Sequence, residues 1–179
     1  MGLTFSVNEH VLIPRQDTEV LVEEVMKNLH DGFRILDLCT GSGCILLSLL
    51  HYSNDCSGVG ADLSEEALEV ARKNAEQLRE SSALFVQGDL FAPVEGKFEI
   101  IVSNPPYICS DVIPTLMEEV REHEPMQALD GGADGLDFYR KIIQGAKEHL
   151  CGGGQAGYRE VECVQDFAGL DRVVFGTLW

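Results

Sequence analysis

The sequence predicts an α/β fold built on a doubly wound, mostly parallel sheet, and two observations carry that prediction. Apolar runs of strand length, Phe33–Leu38, Gly58–Ala61, Leu84–Gln87 and Phe98–Val102, are separated by segments whose apolar residues often recur at helical spacing. Strand, helix, strand, helix, strand in that order packs as parallel strands joined by crossover helices on both faces. The second observation is where the punctuation falls. The glycine turn Cys39–Gly43, then Asp62, Asp89 and Asn104, come at the ends of successive strand runs. The carboxyl ends of parallel strands share one rim of the sheet, and ligands bind there.

The elements follow in order. Residues 1–13, with Phe5, Val7, Val11, Leu12 and Ile13, read as extended. A helix opens at Asp17 or Thr18, either of which can cap it, with Glu19 in the first turn where the helix dipole favours an acid. Leu21, Val22, Val25, Met26 and Leu29 form its buried face, and Asp31-Gly32 ends it. Cys44–Leu50 is an apolar helix after the glycine turn. Ser64 caps a helix that reaches Arg79, with Ala67, Leu68, Val70, Ala71, Ala75 and Leu78 inward. After the fourth strand, Asn104-Pro105-Pro106-Tyr107 stops the sheet, because proline lacks an N–H and holds the preceding residue extended. Val112–Val120 has mixed helical character and 130–135 is a flexible glycine-rich turn. Leu136–Leu150 is an amphipathic helix with Phe138, Ile142, Ile143, Ala146 and Leu150 as its apolar set. Tyr158–Val164 and Arg172–Leu178 read as an antiparallel strand pair around 166–171. With no repeat, low-complexity stretch or linker, 1–179 is expected to be one domain. Its parts are an opening strand and helix (1–30), a cofactor-binding core (31–107), a substrate loop and helix (108–150) and C-terminal strands (151–179).

Composition narrows the partners. Thirty Asp and Glu against 13 Lys and Arg give a net charge of −17, which disfavours nucleic acid, since binding to phosphate backbones needs positive charge. Six cysteines without Cys-x-x-Cys spacing carry no zinc motif, and reduced, buried thiols are expected. No apolar run approaches the roughly 18 residues of a membrane helix. A monomeric, cytoplasmic protein without a metal is expected.

The rim then defines a ligand. In Asp37-Leu38-Cys39-Thr40-Gly41-Ser42-Gly43 the two glycines lack Cβ and allow close approach to backbone. The dinucleotide pattern G-x-G-x-x-G fails because its third glycine position is Leu46, and no Gly-Lys-Ser/Thr follows to make a phosphate loop. Asp62, at the end of the next strand, can accept both ribose hydroxyls of a nucleoside; its plainer reading is a residue that starts the helix beside Ser64. A nucleoside without pyrophosphate fits, and S-adenosylmethionine is such a ligand. Asn104 offers an acceptor and a donor and Tyr107 a flat face, in a loop stiffened by Pro105 and Pro106. That suits a planar group with its own amide or amidine edge. The plainer reading is a proline turn with Tyr107 packed in the core.

Together, Asp37-x-x-Thr40-Gly41-Ser42-Gly43, Asp62 and Asn104-Pro105-Pro106-Tyr107 resemble a class I S-adenosylmethionine-dependent methyltransferase, with its Rossmann-like sheet. The flanking Val11–Glu19 and Glu124–Asp137 stretches resemble, more narrowly, the PrmC/HemK family, which methylates the side-chain amide of a glutamine in peptide-chain release factors. The resemblance covers most of residues 5–150. It implies that Cys39, Thr40, Gly41, Ser42 and Gly43 line the methionine end of the cofactor, with Cys39 standing where glycine is common. It implies that Asp62 holds the ribose and that Leu90 contacts adenine. Asn104, which also borders the cofactor, and Pro105 would receive the target amide through side-chain and backbone carbonyls, and Tyr107 would pack on the amide plane. Asn104, Pro105 and Tyr107 are thus the expected catalytic residues, and Pro106 completes the substrate site. Arg15 and the 130–135 turn shape the pocket without an assigned role.

Two departures from the family are expected to matter. Family members usually carry a helical N-terminal domain, so a fragment lacking it is one expectation. And Cys151–Gly157 leads straight into Tyr158 where a fifth core strand and its helix belong, so the sheet is expected to lack one core strand. The alternatives are an adenine-N6 nucleic-acid methyltransferase, which shares Asn-Pro-Pro-Tyr, and an inactive cofactor-binding domain.

Overall fold

The structure, a computed structural model, describes residues 1–152, 158–165 and 169–178. Strands β1 (Arg34–Leu38), β2 (Ser57–Asp62), β3 (Ala83–Gln87) and β4 (Ile100–Ser103) form a parallel sheet in the order β3-β2-β1-β4. Leu38 lies opposite both Ala61 and Ser103, and Asp62 opposite Gln87. That register brings residues 39, 62–63, 88–90 and 104 out at one rim, as the sequence predicts.

Successive side chains of a strand point to opposite faces, so β1 feeds two cores. Ile35 packs on one face with α1 (Gln16–Asn28), α2 (Cys44–Tyr52) and α3 (Glu65–Leu78). Leu36 and Leu38 pack on the other with Leu90, Val94 and Phe98, closed by Phe138 and Ile142 of α6 (Asp137–His149). Helix α2 is apolar nearly all round because helices and sheet enclose it: Leu46, Leu47 and Leu49 are fully buried. Burial of such side chains contributes about 1.5–3 kcal/mol each. Ser64 caps α3 as expected, its Oγ accepting from the Ala67 N–H at 3.0 Å, and Arg79 ends the helix in the left-handed region.

Several elements differ from the sequence reading. Helix α1 starts at Gln16 with Arg15 as its N-cap and no side-chain cap; Asp17 and Thr18 lie inside the first turn. The Arg15 carbonyl accepts the Thr18 N–H at 3.0 Å, so no side chain is needed there. Residues 1–15 form no strand. This arm is instead held by side chains of α3: Asn74 Oδ1 accepts the Ser6 N–H, Asn74 Nδ2 donates to the Ser6 carbonyl, and Gln77 donates to the Thr4 carbonyl. The 112–120 stretch divides into a 3-10 turn, Ile113–Thr115, and α4 (Glu118–His123), followed by a single turn, α5 (Met126–Leu129). Ile143 stays largely exposed, its carbonyl accepting the Tyr158 hydroxyl.

The antiparallel pair is present as β5 (Tyr158–Gln165) and β6 (Asp171–Leu178), a two-stranded sheet separate from the main one. Arg172 ties it to α1 through Asp17 at 3.4 Å. Beside β4 the described residues make one further parallel pairing. The Phe98 N–H donates to His149 and the Cys151 N–H to Phe98, each at 2.8 Å, making one parallel bridge, Phe98 with Leu150. Gly152, at φ 76°, follows. The remainder of the 151–157 segment and residues 166–168 of the expected turn lie outside the described residues. All six cysteines are free; Cys56 is buried, but Cys151 and Cys163 are exposed, because they sit just after α6 and on the outlying strand pair. Among the described residues no helix is long and apolar enough to cross a membrane.

Candidate active site

A cavity of about 350 Å³ opens on the rim. Cys39, Thr40, Gly41, Ser42, Asp62, Leu90, Asn104 and Pro106 line it, so the two predicted sites are one space. Gly43, Pro105 and Tyr107 do not line it. Gly43 stands behind the wall, where a Cβ would come within 3.1 Å of Leu47 and 3.2 Å of Ala71. Pro105 is buried, and Tyr107 is 49% exposed, which removes the reading of Tyr107 as core.

The glycine turn is built by backbone conformation. Gly41 and Gly43 both have positive φ, and a Cβ on Gly41 would meet nothing within 4 Å. Cys39 (φ 58°) and Leu90 (φ 49°) adopt the left-handed region too. For non-glycine residues this costs on the order of 1–2 kcal/mol each. It also explains why glycine suits the position of Cys39.

Electrostatics set each side chain. Thr40 Oγ1 donates to Asp37 Oδ2 at 2.6 Å, and Asp37 Oδ1 has no hydrogen-bond partner among the described residues. Burial, only partly offset by the Thr40 hydroxyl, pushes the Asp37 carboxyl from its ordinary 3.8 to about 7. Burial likewise pushes the thiols of Cys39 and Cys44 to about 12 and about 11, so both stay protonated at neutral pH. Asp62 accepts the Gly41 N–H on Oδ2 at 2.8 Å and the Ser64 N–H on Oδ1 at 3.0 Å. The helix-starting role and the cavity-facing role of Asp62 therefore coexist. Two donors fix its rotamer, while burial raises its pKa. Each oxygen keeps a lone pair for a ligand.

Asn104 is half-buried on the cavity wall, and no hydrogen bond engages its carboxamide among the described residues. The strand end below it is pinned by Ser103 Oγ donating to the Leu38 carbonyl at 2.7 Å. The 130–135 turn is a packed support rather than a flexible one. A Cβ on Gly131 would lie 2.6 Å from Tyr107 Cα, and one on Gly135 would lie 2.3 Å from the Tyr107 carbonyl oxygen. Ile108 and Asp130 form a parallel bridge beside them.

The cavity also has walls that the sequence reading missed. His10, Val11, Leu12, Pro14 and Thr18 come from the N-terminal arm and α1, and Pro125, Gln127 and Ala128 from the segment around α5. Leu63 and Glu66 follow Asp62 closely and were within reach of a sequence argument. Asn74, fully buried on the inner face of α3, donates to the Ser42 carbonyl at 2.9 Å. A lone amide among Leu68, Ala71 and Ala75 was its only signal in the sequence. Asp62, Glu66 and Asp89 line the cavity, and no Lys or Arg does among the described residues. Such a site favours a hydroxyl-bearing cation and repels phosphate.

A parallel sheet of this order with this rim is that of a nucleoside-binding α/β domain, and the family described as Methyltransferase small domain matches residues 15–122, which makes this a methyltransferase domain. The solved methyltransferase from Pyrococcus furiosus shares the fold, with a TM-score of 0.66 over 96% of this chain and 86% of that chain at 21% identity. The release factor glutamine methyltransferase of Clostridium acetobutylicum is 42% identical over 202 positions, covering 99% of this chain and 71% of that protein. The protein of the same name from Thermodesulfovibrio yellowstonii is 40% identical, covering 97% and 71%. The chain belongs to the release factor glutamine methyltransferase family.

Proposed function

We propose that this protein transfers a methyl group from S-adenosylmethionine to the side-chain amide nitrogen of a glutamine in a peptide-chain release factor. The observation that carries this reading is the free carboxamide of Asn104 on the wall of the cavity that contains Asp62 and the Gly41 turn. The cavity fits the cofactor: its acidic lining suits a sulfonium, Asp62 has lone pairs for ribose hydroxyls, and the open space at Gly41 admits the amino-acid end.

When bound, the cofactor supplies an electrophilic methyl group on a good leaving group. In the bound state Asp62 would hold the ribose, Leu63 and Leu90 would wall the adenine, and residues 39–42 of the turn, backed by Gly43, would receive the methionine end. An amide nitrogen is a weak nucleophile because its lone pair is delocalised. Asn104 Oδ1 and the Pro105 carbonyl accept its two N–H groups, orienting it and favouring positive charge on nitrogen during transfer. Tyr107 packs on the amide plane. The proton then leaves to water. The protein acts as a monomer in the cytoplasm and does not require nucleic acid.

Incubation with methyl-labelled S-adenosylmethionine and a release factor, read by mass spectrometry, tests the assignment. One methyl on a release-factor glutamine is expected, with DNA left unlabelled. Label in DNA adenine alone would replace this reading with the nucleic-acid one. No transfer, with S-adenosylhomocysteine still bound in calorimetry, would leave a cofactor-binding domain.

A further inference from the structure

Arg15 Nη2 donates to Glu124 Oε1, across 109 residues of sequence. The Glu124 side chain is 3% exposed, whereas that of Arg15 is 46% exposed. Among the described residues Arg15 is the one ionic partner of this buried carboxylate, and Glu124 Oε2 has no partner at all. Breaking a pair of this kind leaves an uncompensated charge in the interior, which is relieved by taking up a proton or by moving the segment that carries it, and either removes the ionic tie to Arg15.

The pair joins two segments that both line the cavity. Pro14 and Thr18 flank Arg15; Pro125, Gln127 and Ala128 follow Glu124. The second segment continues directly to the acceptor loop. The Ile108 N–H donates to the Leu129 carbonyl at 3.0 Å, and the Gly131 N–H donates to the Ile108 carbonyl at 2.8 Å. Gly131 then packs on Tyr107. A chain of contacts therefore runs from Arg15 through Glu124 and the 125–131 segment to residues 106–108.

We propose that Arg15 and Glu124 are positioning residues, a latch that orders the 124–131 segment and, through it, the Asn104–Tyr107 loop that receives the acceptor. The proposal rests on the function given above. Neither residue touches the reacting atoms; both act through the loop. Arginine and lysine are not equivalent here, since the planar guanidinium presents a fork of donors to the carboxylate.

The test uses Arg15→Ala, Arg15→Lys, Glu124→Gln and the double variant Arg15→Ala/Glu124→Gln in the full chain. Hydrogen exchange, which needs no acceptor, is expected to speed up at least ~10-fold at 106–110 and 124–131 in Arg15→Ala, with β1 unchanged. Turnover on the release factor is expected to fall about 10- to 100-fold, the scale of a displaced acceptor, while S-adenosylhomocysteine affinity stays within a few-fold. The double variant recovers part of the loss because the lone buried carboxylate is gone, and Arg15→Lys retains part of it. Wild-type exchange and turnover in folded Arg15→Ala would overturn the proposal. So would a loss of turnover only in proportion to lost folded protein. Failure of the wild type to methylate a release factor would sink the function instead, and the exchange result would still decide whether the latch orders the loop.

Discussion

Asp37 is fully buried, and its carboxyl is held near neutrality by desolvation. The folded protein thus keeps a proton that the unfolded chain releases above 3.8. The stabilisation is full below that pH and is lost as pH rises towards about 7. Asp37→Asn should cancel this slope. Urea denaturation of both proteins from about pH 4.5 to about pH 7 is expected to show the variant gaining on the wild type as pH rises, by a few kcal/mol over the window. Parallel profiles would refute the buried-proton account. At Asp62 the expectation concerns the ligand. Asp62→Ala removes charge-assisted bonds worth about 1.5–3 kcal/mol, so S-adenosylhomocysteine should bind about 10- to 100-fold more weakly in calorimetry. An unchanged dissociation constant would exclude Asp62 from ribose binding. Asn104 separates catalysis from binding. Asn104→Ala should cut turnover ~100-fold or more with cofactor affinity within a few-fold. Asn104→Asp retains an acceptor and should be the milder change.

At the scale of the element, the 104–107 loop owes its shape to its neighbours. Two prolines stiffen it, but Gly131 and Gly135 set its position by lying against the Tyr107 backbone. Gly131→Ala forces a Cβ to 2.6 Å from Tyr107 Cα, where neither backbone can yield without shifting the loop. The expected outcome is a fall in turnover of at least ~10-fold, with stability reduced by about 1–3 kcal/mol. Cofactor affinity should hold, since the 39–43 turn and Asp62 belong to β1, β2 and the loops after them. Wild-type turnover in this variant would show that the turn does not support the loop. Helix α2 illustrates the opposite dependence: its position is set by burial alone, and its composition announced that.

The described molecule holds two sheets. The main sheet carries β1, buried from Ile35 to Leu38, whereas β5–β6 is a separate two-stranded sheet with Val161 and Val174 exposed. Two-stranded sheets are marginal alone, and regions with little burial open first. Amide exchange in β5–β6 should therefore be at least ~10-fold faster than at Ile35, Leu36 and Leu38, which should exchange only by global unfolding. Equal protection would mean that the pair folds as one unit with the core. The net charge of −17 opposes compaction, so melting temperature should rise as salt screens it.

By itself the sequence determined the parallel sheet and the rim on which the candidate site lies. Those features are local: burial of both faces demands continuous apolar strands, a left-handed turn favours glycine, and a chain leaving a strand end is punctuated by Asp62 or Asn104. Tertiary structure alone decided the partnerships between distant segments. Nothing in the spacing of Arg15 and Glu124 shows that they pair, that Asn74 holds both the N-terminal arm and the Ser42 carbonyl, or that the 130–135 turn bears on Tyr107. Periodicity reports which face of an element is buried, but not what it is buried against. Contacts between elements far apart in sequence follow from the packing of the whole chain, and no local pattern encodes them.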